Sequence, residues 1–202
     1  MAMPLSRSER YSYADYCSWP QDQRWELLEG IPYAMNAPSR KHQALAREFL
    51  IRIGQYLAGK TCRVYGAPFD VRLVDSTADT IASDERIMTV IQPDITVICD
   101  PAKLDRQGCL GAPDWLIEIV SPGSAQMDYI KKLALYEKYG VKEYWIVHPL
   151  DETLMVFRLD APDETAGPLR YGRPAVYGSE DEGFPGQFPD LNIPLRELFA
   201  AE

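Results

Sequence analysis

The chain has 202 residues, 46% of them hydrophobic, with four Trp, twelve Tyr and six Phe. This is globular composition, enough for one core and with little left over for a second domain. A net charge of −9 argues against a protein that holds nucleic acid by broad electrostatic attraction, so any phosphate contact must be local.

The N-terminus, MAMPLSRSER, has no apolar h-region, and no run approaches the roughly 18 apolar residues of a membrane span. The expectation is a cytoplasmic protein with no membrane segment. Residues 11–17 (YSYADYC) read as a short helix. Residues 25–28 and 31–35 flank Glu29-Gly30, a two-residue hairpin turn. Ser39 can cap a helix over 41–58, in which Leu45, Phe49, Ile53 and Leu57 recur on one core-facing stripe before Gly59. Residues 62–65 and 69–74 read as strands separated by Gly66-Ala67-Pro68, and the polar, acidic stretch 75–90 as a mobile loop. A strand over 91–99 then carries Asp94 near its start, followed by a connecting loop over 100–113.

Residues 115–120 (WLIEIV) are almost wholly apolar, the signature of a strand covered on both faces. Ser121-Pro122-Gly123 stops that strand. Ser124 caps a helix of about 125–139 ended by Gly140, and residues 143–147 form the next strand, so 115–147 is a β-α-β unit. Residues 153–159 add an antiparallel strand. Residues 160–190 are irregular, with one strand near 169–177, and Pro194 opens a short C-terminal helix. Cys17, Cys62, Cys99 and Cys109 lie far apart without a C-x-x-C pair. Neither a zinc site nor a disulfide framework is expected, and free thiols fit a reducing compartment.

Two acids stand out. Glu118 lies inside the apolar strand, where burying a carboxylate costs several kcal/mol unless a cation or several donors compensate it. Asp94 follows Pro93, which suits a strand start. Two strand-borne carboxylates brought to one place would suit Mg²⁺ or Mn²⁺. On the helix, Asp128, Lys132, Leu135, Tyr136 and Tyr139 fall within a sector of about 100°, whereas Met127, Ile130, Ala134 and Val141 form the apolar face expected on the sheet. Asp128 and Lys132 are also an ordinary i,i+4 pair. His42 is read as satisfying a backbone carbonyl, with proton donation at the site as the alternative. Glu48 is a further candidate carboxylate, and His148 is read as a surface residue.

Gln92-Pro93-Asp94, then Gly111-Ala112-Pro113-Asp114 leading into Ile117-Glu118-Ile119-Val120-Ser121-Pro122, then Asp128-x₃-Lys132-x₃-Tyr136-x₃-Gly140-Val141-x-Glu143-Tyr144-Trp145-Ile146-Val147, resembles the Uma2 family. The stretches Trp25-Glu26-Leu27-Leu28-Glu29-Gly30 and Val64-Tyr65-Gly66, with His42, match it as well, so the likeness covers about 10–199. The resemblance implies an α/β protein of the PD-(D/E)XK nuclease superfamily. Its restriction-endonuclease-like core, about 25–160, would be a central mixed β-sheet with the two main helices on opposite sides, plus an N-terminal hairpin and a C-terminal extension.

The same resemblance implies a Mg²⁺- or Mn²⁺-dependent endonuclease acting on DNA. Asp94 and Glu118 would be metal ligands, joined by the backbone carbonyl of Val120. Val120 stands where the lysine of an E-x-K signature would be, and Lys132 from the following helix would take over its part, supported by Asp128, Tyr136 and His42. A homodimer is expected from the two-fold symmetry of duplex cleavage. The alternative is a catalytically inactive nuclease fold serving as a nucleic-acid-binding or protein-interaction module.

Overall fold

The computed structural model describes residues 9–20, 22–74, 83–160 and 169–201. Residues 75–82 of the expected loop 75–90 thus lie outside the described residues, as does part of the 160–190 stretch, and Val90 at the loop's end belongs to a strand. After a short helix α1 (Tyr13–Cys17), β1 (Trp25–Leu28) and β2 (Ile31–Ala34) form the expected hairpin, with Trp25 opposite Ala34. Glu29 and Gly30 both have positive φ, 49° and 81°, as a two-residue turn of this kind requires. Helix α2 (Arg40–Leu57) is capped by the Ser39 side chain, which accepts the His42 N–H.

The strands β3 (Arg63–Gly66), β4 (Val71–Arg72), β5 (Val90–Ile91) and β6 (Ile95–Ile98) divide between two sheets. The strand expected over 91–99 is therefore two strands. Pro93 cannot donate to a ladder, and at Gln92-Pro93-Asp94 the chain leaves one sheet for the other. The expected loop 100–113 also holds a hairpin, β7 (Leu104–Asp105) with β8 (Gly108–Leu110). Gly108 is required there: its φ is +131°, and a Cβ would lie 2.2 Å from the Asp70 carbonyl oxygen.

Strand β9 (Trp115–Ile119) is fully buried. It lies between β6, antiparallel, and β10 (Glu143–His148), parallel as a β-α-β unit requires. Strands β11 (Thr153–Arg158) and β12 (Ala175–Tyr177) extend this main sheet to the order β12-β11-β10-β9-β6-β3, and the second sheet runs β2-β1-β5-β4-β8-β7. A small pair, β13 (Glu182–Gly183) with β14 (Ile193–Pro194), precedes the last helix α4 (Leu195–Phe199), whose N-cap is Pro194.

Alternation along β9 divides the core. Trp115, Ile117 and Ile119 pack with Leu45, Phe49, Ile53 and Leu57 of α2, while Leu116 faces a second cluster containing Leu135 and Tyr136 and, from the second sheet, Leu28, Val71 and Ile91. The helices of α2 and of 125–139 therefore cover opposite faces of the main sheet. Among the described residues no helix is long and apolar enough to cross a membrane.

Two further expectations are corrected. The helix after β9 is not α-helical throughout: Met127–Lys132 forms π-helical turns ahead of α3 (Leu133–Tyr139). Its expected apolar face meets the core only in part: Met127 and Val141 pack in the second cluster, but Ile130 and Ala134 do not. Ile130 is 62% exposed and Ala134 is exposed, while Asp128, Lys132, Leu135 and Tyr136 are buried. The polar face turns inward because it has charged partners there. The second correction is that Cys62 and Cys99 are joined in a disulfide, leaving Cys17 and Cys109 as free thiols. The β3–β6 register, with Arg63 opposite Ile98, puts these two cysteines across from each other. A separation of 37 residues hides that pairing from the sequence.

Candidate functional site

The antiparallel register of β6 and β9 pairs Ile95 with Ile117, so one step back along β6 and forward along β9 sets Asp94 opposite Glu118. Asp94 Oδ2 accepts the Ile119 N–H at 2.8 Å and lies 3.0 Å from His42 Nε2. His42, in the first turn of α2, thus meets a carboxylate and not the backbone carbonyl expected for it, and its Nδ1 is buried without a partner. Glu118 has the same parity as Leu116 and so faces the 125–139 helix. Its Oε1 accepts from Lys132 Nζ at 2.9 Å and from Tyr136 Oη at 2.8 Å. Asp128 Oδ1 lies 3.9 Å from the same ammonium.

The structure thus brings together Asp94, Glu118, Lys132, Asp128, Tyr136 and His42. It leaves out Glu48, which engages Arg47 and Arg52, and His148, which is half-buried beside Asp151. Val120 directly follows β9 with its side chain buried in the apolar cluster.

One residue of the site was missed. Glu26 of β1 is buried, and its Oε1 accepts from Lys132 Nζ at 2.9 Å and from the Gln92 N–H at 2.9 Å. The available signal was the one that marked Glu118, a carboxylate set among apolar neighbours in the strand Trp25-Glu26-Leu27-Leu28.

Electrostatically the site is overloaded with acid. Glu26, Glu118 and Asp128 are nearly inaccessible, and Lys132 is the cation they share. Burial drives the Glu118 carboxyl well above its ordinary range. Lys132 opposes that shift, while Asp128, Asp94 and Glu26 add to it. Burial likewise raises Asp128 to about 6 against the pull of Lys132. For Lys132, burial alone would favour loss of the proton, but Glu118, Glu26 and Asp128 more than reverse it, so the ammonium is held charged. Tyr136, buried against Glu118, stays a proton donor.

Among the described residues, no group of three or more His, Cys, Asp or Glu side chains converges to hold a metal ion. The Asp94 and Glu118 pair nevertheless suits a hard cation that needs only one or two protein carboxylates and takes its other ligands from water or substrate.

Residues 13–193 match the model of the Uma2 family, described as "Putative restriction endonuclease". An uncharacterized protein of Synechocystis sp. is 24% identical over 135 residues, 66% of this chain; the match spans 65% of that relative's length. A crystal structure of "a putative nuclease belonging to DUF820" from Anabaena variabilis is similar with a TM-score of 0.69 and 21% identity, covering 94% of this chain and 97% of that one. At that identity the likeness shows the fold. The mixed-sheet, nuclease-like architecture expected from the sequence is borne out.

Proposed function

The chain belongs to the Uma2 family, and on that premise we propose that it is a metal-dependent endonuclease hydrolysing phosphodiester bonds in DNA. The observation that carries this reading is the facing pair Asp94 and Glu118, with Lys132 delivered to Glu118 from the neighbouring helix. Asp94 and Glu118, with the Val120 carbonyl, would hold Mg²⁺ or Mn²⁺. Such an ion, when bound, lowers the pKa of a coordinated water and offsets the charge that builds up on the phosphate.

The side chains prepare the rest. The Ile119 N–H and His42 fix one oxygen of Asp94, and Tyr136 and Lys132 fix Oε1 of Glu118. Lys132 is held protonated, so its part is that of a fixed positive charge and hydrogen-bond donor, orienting the attacking water or stabilising developing anionic charge. It does not serve as the base. Asp128, one helical step from Lys132, helps hold the ammonium.

Incubation with supercoiled plasmid tests the reading. Nicking is expected with Mg²⁺ or Mn²⁺ and is expected to be lost with chelator or in Glu118→Gln; equal nicking by both proteins would overturn it. The same reading takes the protein as a single-domain subunit of a cytoplasmic homodimer, the two-fold arrangement suited to cutting both strands. Sedimentation showing only a 22.9 kDa species would remove the dimer.

A further inference from the structure

Glu26 is the acid that the second sheet lends to a site otherwise built on the main sheet and its helices. Its Oε1 takes two donors at 2.9 Å each, the Lys132 ammonium and the Gln92 N–H. Gln92 is itself held firmly. Arg24 donates to its Oε1 at 2.9 and 2.7 Å, and its Nε2 donates to Asp70 Oδ1 at 2.8 Å. Two residues further on is Asp94. A single carboxylate oxygen therefore ties the helix carrying Lys132 to the segment carrying Asp94.

Glu26 is not the sole acid at this ammonium: Lys132 Nζ also has Glu118 at 2.9 Å and Asp128 at 3.9 Å. A second buried carboxylate on the same ammonium adds desolvation cost and repulsion from Glu118. What the two donors give Glu26 is a fixed place, and through it a fixed place for the ammonium. Lys132 needs such a hold. Its stem is long and flexible, and it emerges from π-helical turns, so the backbone alone does not fix the ammonium.

We infer that Glu26 is a positioning residue: it clamps the Lys132 ammonium beside Glu118 and, through Gln92, sets the Pro93-Asp94 segment relative to it. This rests on reading the site as a hydrolytic centre. Without the clamp Asp94 keeps its own hold on the Ile119 N–H and His42, whereas the fixed charge of Lys132 is misplaced, a displacement of the kind that costs on the order of 100-fold in rate.

The experiment uses the full chain labelled with ¹⁵N-lysine, as wild type, Glu26→Gln and Glu26→Ala, with Lys132→Met identifying the Lys132 ammonium signal. Both Glu26 variants are expected to shift or broaden that signal. Glu26→Gln should melt at the wild-type temperature or above it. Its plasmid cleavage should show kcat down roughly 10- to 100-fold with KM for DNA and the Mg²⁺ midpoint unchanged. An ammonium signal unchanged in Glu26→Gln would overturn the clamp. So would a lowered melting temperature in Glu26→Gln, which would mark a structural ion pair, or a Mg²⁺ midpoint displaced as far as in Glu118→Gln, which would make Glu26 a metal ligand. If the wild type cuts no DNA, the hydrolytic reading fails by itself, and the ammonium signal and melting temperature still decide the clamp.

Discussion

Lys132→Met keeps the bulk of the lysine stem and deletes its charge. In the folded protein Lys132 is 4% exposed, and its Nζ contacts Glu26 and Glu118 at 2.9 Å each. Removing one partner of a buried ion pair costs roughly 3–5 kcal/mol, because the charge left behind has neither water nor a counterion. Here two carboxylates are stranded, so the loss belongs at the upper end, a large share of a typical stability of about 5–15 kcal/mol. The pH sets its sign and window. With the ammonium gone, Glu118, already raised by burial, binds its proton more tightly still. The penalty is then full at high pH and shrinks as pH falls, because the folded variant binds a proton on Glu118 more tightly than the folded wild type does, while the unfolded chain is common to both and drops out. Guanidinium titration followed by the fluorescence of the four tryptophans, at pH 8 and pH 5, measures both quantities. A loss below about 1 kcal/mol at pH 8, far under the expected range, or a loss that grows on acidification, would mean that Lys132 is not the counterion of these carboxylates.

Asp128→Asn should act in the opposite direction. The wild-type carboxyl is raised from 3.8 to about 6, so the folded state holds a proton that the unfolded state has released, and stability falls as pH rises through that window. The difference of about 2.2, at roughly 1.36 kcal/mol for each pKa unit, is about 3 kcal/mol. Calorimetry should show a flatter pH profile for the variant and a higher melting temperature at pH 7.5; parallel profiles would contradict it. Tyr136→Phe deletes the 2.8 Å hydrogen bond to Glu118 and should cost about 1.5–3 kcal/mol at pH 8 by denaturant titration, with no measurable loss as the contrary result. Thiol titration of unfolded, unreduced protein should find two reactive cysteines, Cys17 and Cys109, and reduction should lower stability by about 4 kcal/mol from the 37-residue separation of Cys62 and Cys99. Four reactive thiols would exclude the disulfide.

What the sequence disclosed follows from the range of the forces involved. The apolar run of β9, the Leu45-Phe49-Ile53-Leu57 stripe and the Glu29-Gly30 turn are local patterns, and each appears in the structure at its expected place. The inward face of the 125–139 helix was not legible by periodicity. Hydropathy points Ile130 and Ala134 to the sheet, but a buried carboxylate on β9 demands a cation, and satisfying it turns Lys132 inward at the cost of exposing Ile130. The π-helical turns over Met127–Lys132 have no sequence signature of their own. Glu26, the partner of His42 and the Cys62–Cys99 bond depend on register between strands and helices distant in the chain, which one sequence does not encode visibly.

The placement of Asp94 and Glu118 is the centre of the account, and a crystal soaked in Mn²⁺ tests it most directly. An anomalous peak within about 2.0–2.3 Å of a carboxylate oxygen from each residue is the predicted result. A well-ordered crystal with no peak there at millimolar Mn²⁺, or one bound by other side chains, would contradict it.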